Sequence, residues 1–465
     1  MKIELSADQQ VAHDAAVAFL QKPTKDHFTI GGLAGTGKTT ITSEIVRTLR
    51  RLNPNVRFAF ACYTGKAALV LKTKLLAAGM LKENETCSTI HKLIYEAIID
   101  QETGEIIGWN RAPAIPADFI IVDEASMVNE EIWNDLKSYR VPILAIGDHG
   151  QLPPVKEQYN LMEHPDVRLE RIHRQAEGDP IIRLSMMART GEPIKNGQHG
   201  PGVWKVSNTP EAQLQRLFQN NIDIRKQLFL CGYNRTRALV NRTVRQLLGY
   251  PPELVPHVGE PVLCLKNNHE EKIFNGMMGT VRSLKPGNLF HKAQIEMVDE
   301  TLYRGRIVAT QFGALTTLKE HDEIEWYALK DLFDFGYCLT VHKAQGSESE
   351  SVVLFDEHVG FLAGENATEA QKQEFQNRWR YTGITRARRT LTIVSKPWKN
   401  FASAASGLLV VEGRRLIRTL RQAQTNKNAK PFSAVERQHL YELASMRTWT
   451  LKEVLADKLE KAYGN

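Results

Sequence analysis

The chain has 465 residues, 42% of them hydrophobic, and a formal net charge of +7. At roughly 150 residues per domain it holds two to four domains, and its composition is that of ordinary globular protein with sizeable cores. The charge favours a polyanionic partner without identifying one, while the lack of any run of ~18 apolar residues, or of a signal-peptide core, predicts a soluble intracellular protein. The five cysteines (Cys62, Cys87, Cys231, Cys264, Cys338) are scattered without a C-x-x-C pair. That pattern reads as buried thiols in a reducing cytosol and argues against a zinc or iron–sulfur site.

In chain order, the apolar run 27–30 reads as a strand and feeds Gly32-Leu-Ala-Gly35-Thr36-Gly37-Lys38-Thr39-Thr40, a complete G-x-x-x-x-G-K-[ST] phosphate loop. Behind it Ile41, Ile45, Val46 and Leu49 recur at helical spacing. The glycines let the backbone turn so that its N–H groups converge on phosphates. Lys38 brings a compact charge to the β- and γ-phosphates, and the Thr39 hydroxyl can ligate Mg²⁺. This segment predicts binding of ATP with Mg²⁺.

Short apolar runs at 58–61, 119–122 and 143–146 alternate with helical patterns at 67–78 and 130–137. This is the pattern of a doubly wound α/β sheet, whose active residues lie beyond the carboxyl ends of its strands. A second α/β lobe is read from strands at 228–231, 337–340, 352–355 and 391–394 and a basic helix at 236–248. Two interruptions break the pattern. Residues 98–107 have two β-like arms around a Thr-Gly turn, predicting a hairpin. Short strands at 261–265, 279–284, 293–297 and 305–309, punctuated by Lys285-Pro-Gly-Asn288, predict a small antiparallel barrel inserted in the second lobe. Past Pro397 the chain reads as charged helices with a linker at 424–430.

Asp123-Glu124 closes an apolar strand in a Walker-B arrangement. The first carboxylate can hold Mg²⁺ through water and the second can polarise an attacking water. Gln151, ending Ile146-Gly-Asp-His-Gly-Gln151, reads either as a γ-phosphate sensor or as a plain loop amide. Arg174 and Arg386 stand in Ile172-His-Arg174-Gln175 and Tyr381-Thr-Gly-Ile-Thr385-Arg386-Ala387. An arginine beside the γ-oxygens is worth about 10³–10⁵ in rate, but spacing alone does not separate these two from solvated charges.

Taken together, these segments resemble the motifs of superfamily 1 helicases, in particular the RecD/Dda-like (1B) branch. The carrying residues are Leu5-Ser-Ala-Asp-Gln9, the phosphate loop, Tyr63-Thr64-Gly-Lys-Ala-Ala68, Ser88-Thr-Ile-His91, Asp123-Glu-Ala-Ser126, Gly147-Asp-His-Gly-Gln151, Ile172–Gln175, Thr340-Val-His-Lys-Ala-Gln-Gly-Ser-Glu348 and Tyr381–Ala387, all in family order. The resemblance implies two RecA-like lobes with ATP between them, one at 1–165 and one at 166–257 with 331–398. It also implies a pin or wedge hairpin at about 92–116 and an SH3-like insert at 258–330. Position by position, Gln9 resembles the glutamine that reads adenine, Gln151 the γ-phosphate sensor, and Arg174 and Arg386 the arginine fingers. Gly346 and Glu348 resemble the motif facing both nucleotide and DNA, and Thr64, His91, Thr340 and His342 fall where such helicases touch single-stranded DNA.

The implied activity is an ATP-dependent DNA helicase moving 5′→3′ on single-stranded DNA and opening forks. By analogy it would serve replication, repair or recombination in a bacterial or phage-infected cytosol. An RNA-directed ATPase and a recruitment switch without unwinding stay open on the residues themselves. So does the role of His91, which opens an expected helix at 92–97 and reads as a DNA contact or a structural hydrogen-bonder. Trp109, just past the hairpin, reads as core or as strand separator. The tail at 399–465, outside the resemblance, reads as a helical cap, or as a helix-turn-helix-like module for docking replication or repair proteins.

Overall fold

The computed structural model describes residues 4–99, 106–153, 159–172, 178–207, 227–251, 253–268, 271, 273–298, 300–318, 331–364 and 366–395. The hairpin turn at Thr103-Gly104, Arg174 and the tail from 399 onward therefore lie outside the described residues.

The first parallel sheet uses β1 (His27–Gly32), β2 (Phe58–Cys62), β3 (Thr86–Thr89), β6 (Phe119–Asp123), β7 (Ile143–Gly147) and β8 (Val167–Leu169) in the order β3-β2-β6-β7-β1-β8. Its central strands are buried on both faces, which is why they read as continuous apolar runs. Covering it are α1 (Ala7–Gln21), α2 (Lys38–Leu52), α3 (Gly65–Ala77), α4 (Ile90–Ile94) and α5 (Glu130–Lys137). Ile41, Ile45, Val46 and Leu49 of α2 all enter the core as their spacing requires, each contributing about 1.5–3 kcal/mol. A separate two-stranded hairpin pairs β4 (Tyr95–Ile99) with β5 (Ile106–Arg111).

The second sheet uses β9 (Gly197–Gly200), β10 (Val203–Ser207), β11 (Gln227–Cys231), β17 (Cys338–Thr340), β18 (Ser349–Asp356) and β19 (Ala387–Ser395) in the order β17-β11-β18-β19-β10-β9. All its pairings are parallel except β9 against β10. Helices α6 (Pro180–Thr190), α7 (Asn234–Leu247) and α8 (Glu369–Ile384) belong with it. A five-stranded antiparallel sheet, β15-β14-β13-β12-β16, interrupts this unit. It is formed by β12 (Pro261–Cys264), β13 (Met278–Lys285), β14 (Phe290–Met297), β15 (Leu302–Val308) and β16 (Phe333–Phe335). Helix α7 ties it to the second sheet through two buried ion pairs, Arg245 Nε to Glu260 Oε1 at 2.8 Å and Arg237 with Asp334, and Val262, Cys264 and Phe335 share a core cluster with Phe229, Phe355 and Val394 of that sheet. Tyr337 also donates to Glu260 at 3.0 Å, and the Arg245 guanidinium lies 4.2 Å over the Phe335 ring.

One expectation is corrected. The helix expected at 92–97 ends at Ile94, and Tyr95 already opens β4. Pairing of 95–99 with 106–111, closed by Tyr139 Oη on the Ile94 and Ala112 carbonyls, outweighs local helical pattern. The first sheet runs past 165, because β8 pairs with β1 and Asp166 Oδ2 accepts from both Thr29 N and Thr29 Oγ1. The antiparallel sheet likewise runs past 330 to β16, which pairs with β12.

Candidate active site and nucleic-acid cleft

The phosphate loop leaves β1 and enters α2 through Gly35 and Gly37, both in the left-handed region at φ 81° and 79°. Gly37 caps α2 without a side-chain bond, leaving the first helical N–H groups available to an anion. A Cβ at Gly32 would lie 2.7 Å from Thr36 Oγ1 and 2.9 Å from Lys38 Cγ, so glycine is required there. Lys38 Nζ donates to the loop carbonyls of Gly32 (2.7 Å) and Leu33 (3.1 Å) and lies 3.6 Å from Asp148 Oδ2. Gln9 is tied to the loop from α1: its Nε2 donates to Thr36 O at 2.9 Å and its Oε1 accepts from Ser6 N. Thr39, in the first turn of α2, is exposed, and Thr40 follows half-buried.

Asp123 ends β6, and Glu124 follows it in the left-handed region at φ 53°, an uncommon conformation for a non-glycine residue that concentrates at functional sites. Burial pushes both carboxyls up. For Glu124 the Asp123 charge adds to that, while Arg386 and Lys38 pull the other way. Glu124 Oε2 and Gln151 Oε1 are buried acceptors without a hydrogen-bond partner among the described residues. Orphaned acceptors, raised acids and free helical N–H groups around one lysine fit a phosphate chain with a divalent cation.

The second unit reaches this site through α8. Tyr381 Oη donates to Asp148 Oδ2 at 2.8 Å and accepts from the phosphate-loop Ala34 N at 2.6 Å. Thr382 Oγ1 accepts from Leu152 N (3.1 Å), Arg378 Nη1 donates to His149 O (2.9 Å) and Gln151 O (3.2 Å), and Gln345 Nε2 donates to Leu152 O (3.1 Å). Segment 148–152 is thus clasped from the other lobe. Arg386 is buried, its guanidinium donating to Thr382 O (3.0 Å) and Ser347 O (3.1 Å) within its own lobe. Glu348 is exposed and accepts from Arg388 Nε at 2.8 Å; burial raises its carboxyl, but Arg388 holds it below the usual range. Gly346, at φ 71°, faces the first lobe: a Cβ there would lie 3.5 Å from Ala67 Cβ and 3.7 Å from Thr64 Oγ1.

Beside that contact runs a cleft of about 300 Å³ lined from both lobes and from the antiparallel sheet, by Thr64, Lys66, Asn129, Asn275, His342 and Lys343 among others. Thr64 caps α3, accepting from Ala67 N at 3.2 Å. Burial lowers His342 to about 4, so it is neutral, and lowers Lys66 and Lys343 to about 8. The Phe274 ring packs on the Gly65 backbone, where a Cβ would meet Phe274 Cγ at 2.6 Å. Thr340 lies buried at the end of β17, and His91 packs between Tyr95 (4.6 Å) and Trp109 (4.4 Å, edge-on); neither lines the cleft. Trp109 is 40% exposed, which takes it out of the core. Sequence reasoning passed over Tyr381, Lys66, Lys343 and Asn129. The first three stand inside the quoted motifs, where a cation next to Thr64 or His342 was a usable signal. Asn129 is brought in by tertiary structure alone.

A phosphate loop and a buried acidic pair on one parallel sheet, touched by residues of a second parallel sheet, define a two-lobed P-loop nucleotide-binding protein of RecA-like type. Residues 15–157 match the family profile of an AAA domain, and residues 335–394 that of a UvrD-like helicase C-terminal domain. The ATP-dependent RecD2 DNA helicase of Deinococcus radiodurans is 27% identical over 378 residues, covering 77% of this chain and 45% of that protein. The ATP-dependent DNA helicase dda of Enterobacteria phage T4 is 27% identical over 244 residues, covering 49% of this chain and 52% of its own. The chain thus spans about half the length of these two relatives. Among solved structures, Pif1 helicase from Bacteroides in complex with ADP-AlF3 and ssDNA has a TM-score of 0.45 at 17% identity, covering 85% of this chain and 93% of that one. The chain is thus similar to RecD- and Dda-like helicases in both of its parallel-sheet units.

Proposed function

We propose that this chain is an ATP-dependent DNA helicase that moves 5′→3′ along single-stranded DNA and separates duplex at forks. The observation that carries the reading is Tyr381, a second-lobe side chain bonded at once to the phosphate loop and to Asp148. It makes the nucleotide site an inter-lobe site, and the cleft beside Thr64 and Gly346 lies across the same interface. A change in phosphate occupancy is then felt by both walls of the cleft, the coupling a translocating motor needs.

The roles follow from chemistry. Lys38 exchanges its loop carbonyls for β- and γ-phosphate oxygens. Thr39 and Asp123 hold Mg²⁺, which when bound neutralises charge developing on the phosphates. Glu124 takes the proton of the attacking water, a task suited to a carboxyl raised by burial. Gln151 orients that water, and Arg386, together with Arg174, stabilises the transferring group. The Gln9 amide, held against the phosphate loop by its bond to Thr36, has the paired donor and acceptor that suit an adenine edge. Thr64 and the cleft lysines meet backbone phosphates, and neutral His342 offers a face for a base. Thr340 and His91 extend the DNA contacts beyond the cleft, while Gly346 and Glu348 join the path to the nucleotide site.

In this reading the first lobe is 1–165 continued through β8, and the second is 166–257 with 331–398. The hairpin β4–β5 is the pin within about 92–116, and 258–330 with β16 is an SH3-like insert. The test is strand separation of forked substrates with ATP. Duplex with a 5′ single-stranded tail should be opened and duplex with a 3′ tail alone should not. Turnover stimulated by RNA but not DNA, or stimulation without strand separation, overturns the proposal.

A further inference from the structure

The outer face of the antiparallel sheet concentrates positive charge that neither the nucleotide site nor the cleft uses. Lys285 of β13, Lys292 of β14 and Arg304 and Arg306 of β15 surround a hollow of about 440 Å³, and all four are exposed. Its floor is the small pair Ala293 and Gly305, directly opposed across β14 and β15. The register sets Lys285 opposite Lys292 and Lys292 opposite Arg306, a row of three cations across three strands. Like charges directly opposite one another are destabilising.

The same face shows what compensation looks like. Arg282 Nε donates to Glu296 Oε2 at 2.9 Å. No carboxylate among the described residues pairs with Lys285, Lys292, Arg304 or Arg306, and no acidic residue lines the hollow. Arg306 rests over the Phe290 ring at 5.9 Å, which orients its guanidinium without neutralising it. Strand order puts β14 and β15 at the far edge from β12 and β16, and the hollow shares no residue with the cleft.

We propose that this hollow is a second nucleic-acid site, one that holds the phosphodiester backbone of the duplex arm ahead of the cleft. It rests on the DNA reading above. Strands lie about 4.8 Å apart, so the cation row spans roughly 10 Å, and a duplex carries one charge per ~1.7 Å of axis. Several phosphates can therefore face the row. Single-strand sites stack bases on aromatic side chains, and no aromatic lines this hollow, which selects duplex over single strand.

The test uses the full chain carrying Lys285→Gln, Lys292→Gln, Arg304→Gln and Arg306→Gln together. Its affinity is measured across a salt series for a bare single strand of about ten nucleotides, near the site size of one binding domain, and for the same strand with a duplex arm. The arm-bearing DNA should bind at least tenfold more weakly at low salt. Its slope of log K on log salt should be shallower by about 2–3, near 0.9 per lost phosphate contact. Bare-strand affinity and bare-strand-stimulated ATP turnover should match the unaltered chain. The unfolding midpoint should be equal or slightly higher, since opposed cations have been removed. Unchanged binding of the arm-bearing DNA, or an equal loss on the bare strand, overturns the proposal while leaving the helicase reading intact. Failure of the unaltered chain to bind either DNA overturns both.

Discussion

The third strand of each parallel sheet ends in the same dipeptide. β6 closes on Asp123-Glu124 and β18 on Asp356-Glu357, each after an apolar run in the same slot of the strand order. The two pairs have opposite surroundings. Asp356 accepts from Arg380 Nε at 2.7 Å and lies 3.7 Å from Lys205 Nζ. Glu357 is divided between Gly232 N (2.7 Å) and Thr236 Oγ1 (2.5 Å), plugging the N-terminus of α7 with an internal carboxylate. In the first sheet the helix end stays open, Glu124 keeps an unpartnered oxygen, and both carboxyls are raised by burial. An acidic pair at a strand end is thus scaffold when its partners are internal and chemistry when they are missing.

Breaking the first pair should give the largest effect. Glu124→Gln should lower ATP turnover by about 10²–10⁴, the range of general-base catalysis, while nucleotide is still bound and the unfolding midpoint is unchanged or raised. Lys38→Ala should abolish turnover and spare single-strand binding. Near-normal steady-state turnover in either variant would show that the open pair is not the reacting site. Arg386→Ala tests the second lobe's contribution at the same place. A drop in kcat of two or more orders of magnitude is expected, with nucleotide affinity little altered by equilibrium titration.

Breaking the second pair should cost stability instead. Glu357→Gln removes the charge that caps α7, a loss of about 1–3 kcal/mol in denaturant unfolding, with turnover per folded molecule retained. Loss of turnover without loss of stability would reverse the contrast. Smaller still is Tyr381→Phe, which strips one hydroxyl from Asp148 and Ala34 N, about 1–1.5 kcal/mol. DNA-stimulated kcat should fall roughly tenfold, and unaltered stimulation would make the clasp incidental.

The mildest test is pH. Lys66 and Lys343, lowered by burial to about 8, are cationic below that value and neutral above it. Single-strand affinity should weaken a few-fold between about pH 7 and 9, as charge facing phosphate is lost. His342, lowered to about 4, is neutral throughout and contributes no change in that window. Affinity that stays flat to pH 9 would take the two lysines out of contact with the backbone.

What could be read from the chain follows the physics of each element. β2, β6 and β7 are buried on both faces and so appear as apolar runs, and α2 shows its core face at helical spacing. β3, made of Thr-Cys-Ser-Thr, has no such signal and exists through its pairing with β2. β8, three residues long, is likewise defined by β1. In the site, Lys38, Asp123 and Glu124 were legible because their spacing is local. The bonds of Tyr381 to Ala34, 347 residues away, and of Glu357 to Gly232, 125 residues away, leave no local trace.

The two ion pairs that fasten the antiparallel sheet to α7 carry a mechanical consequence. Sliding either pair apart would strand a buried charge, a penalty of about 3–5 kcal/mol, so small displacements of α7 are handed on undiminished. The sheet therefore behaves as a rigid bracket bolted to the second lobe. Because the antiparallel sheet also shares its hydrophobic core with the second sheet and β14 and β15 lie at its far edge, a rotation of the second lobe as a body would carry that edge through a longer sweep than the residues at the core.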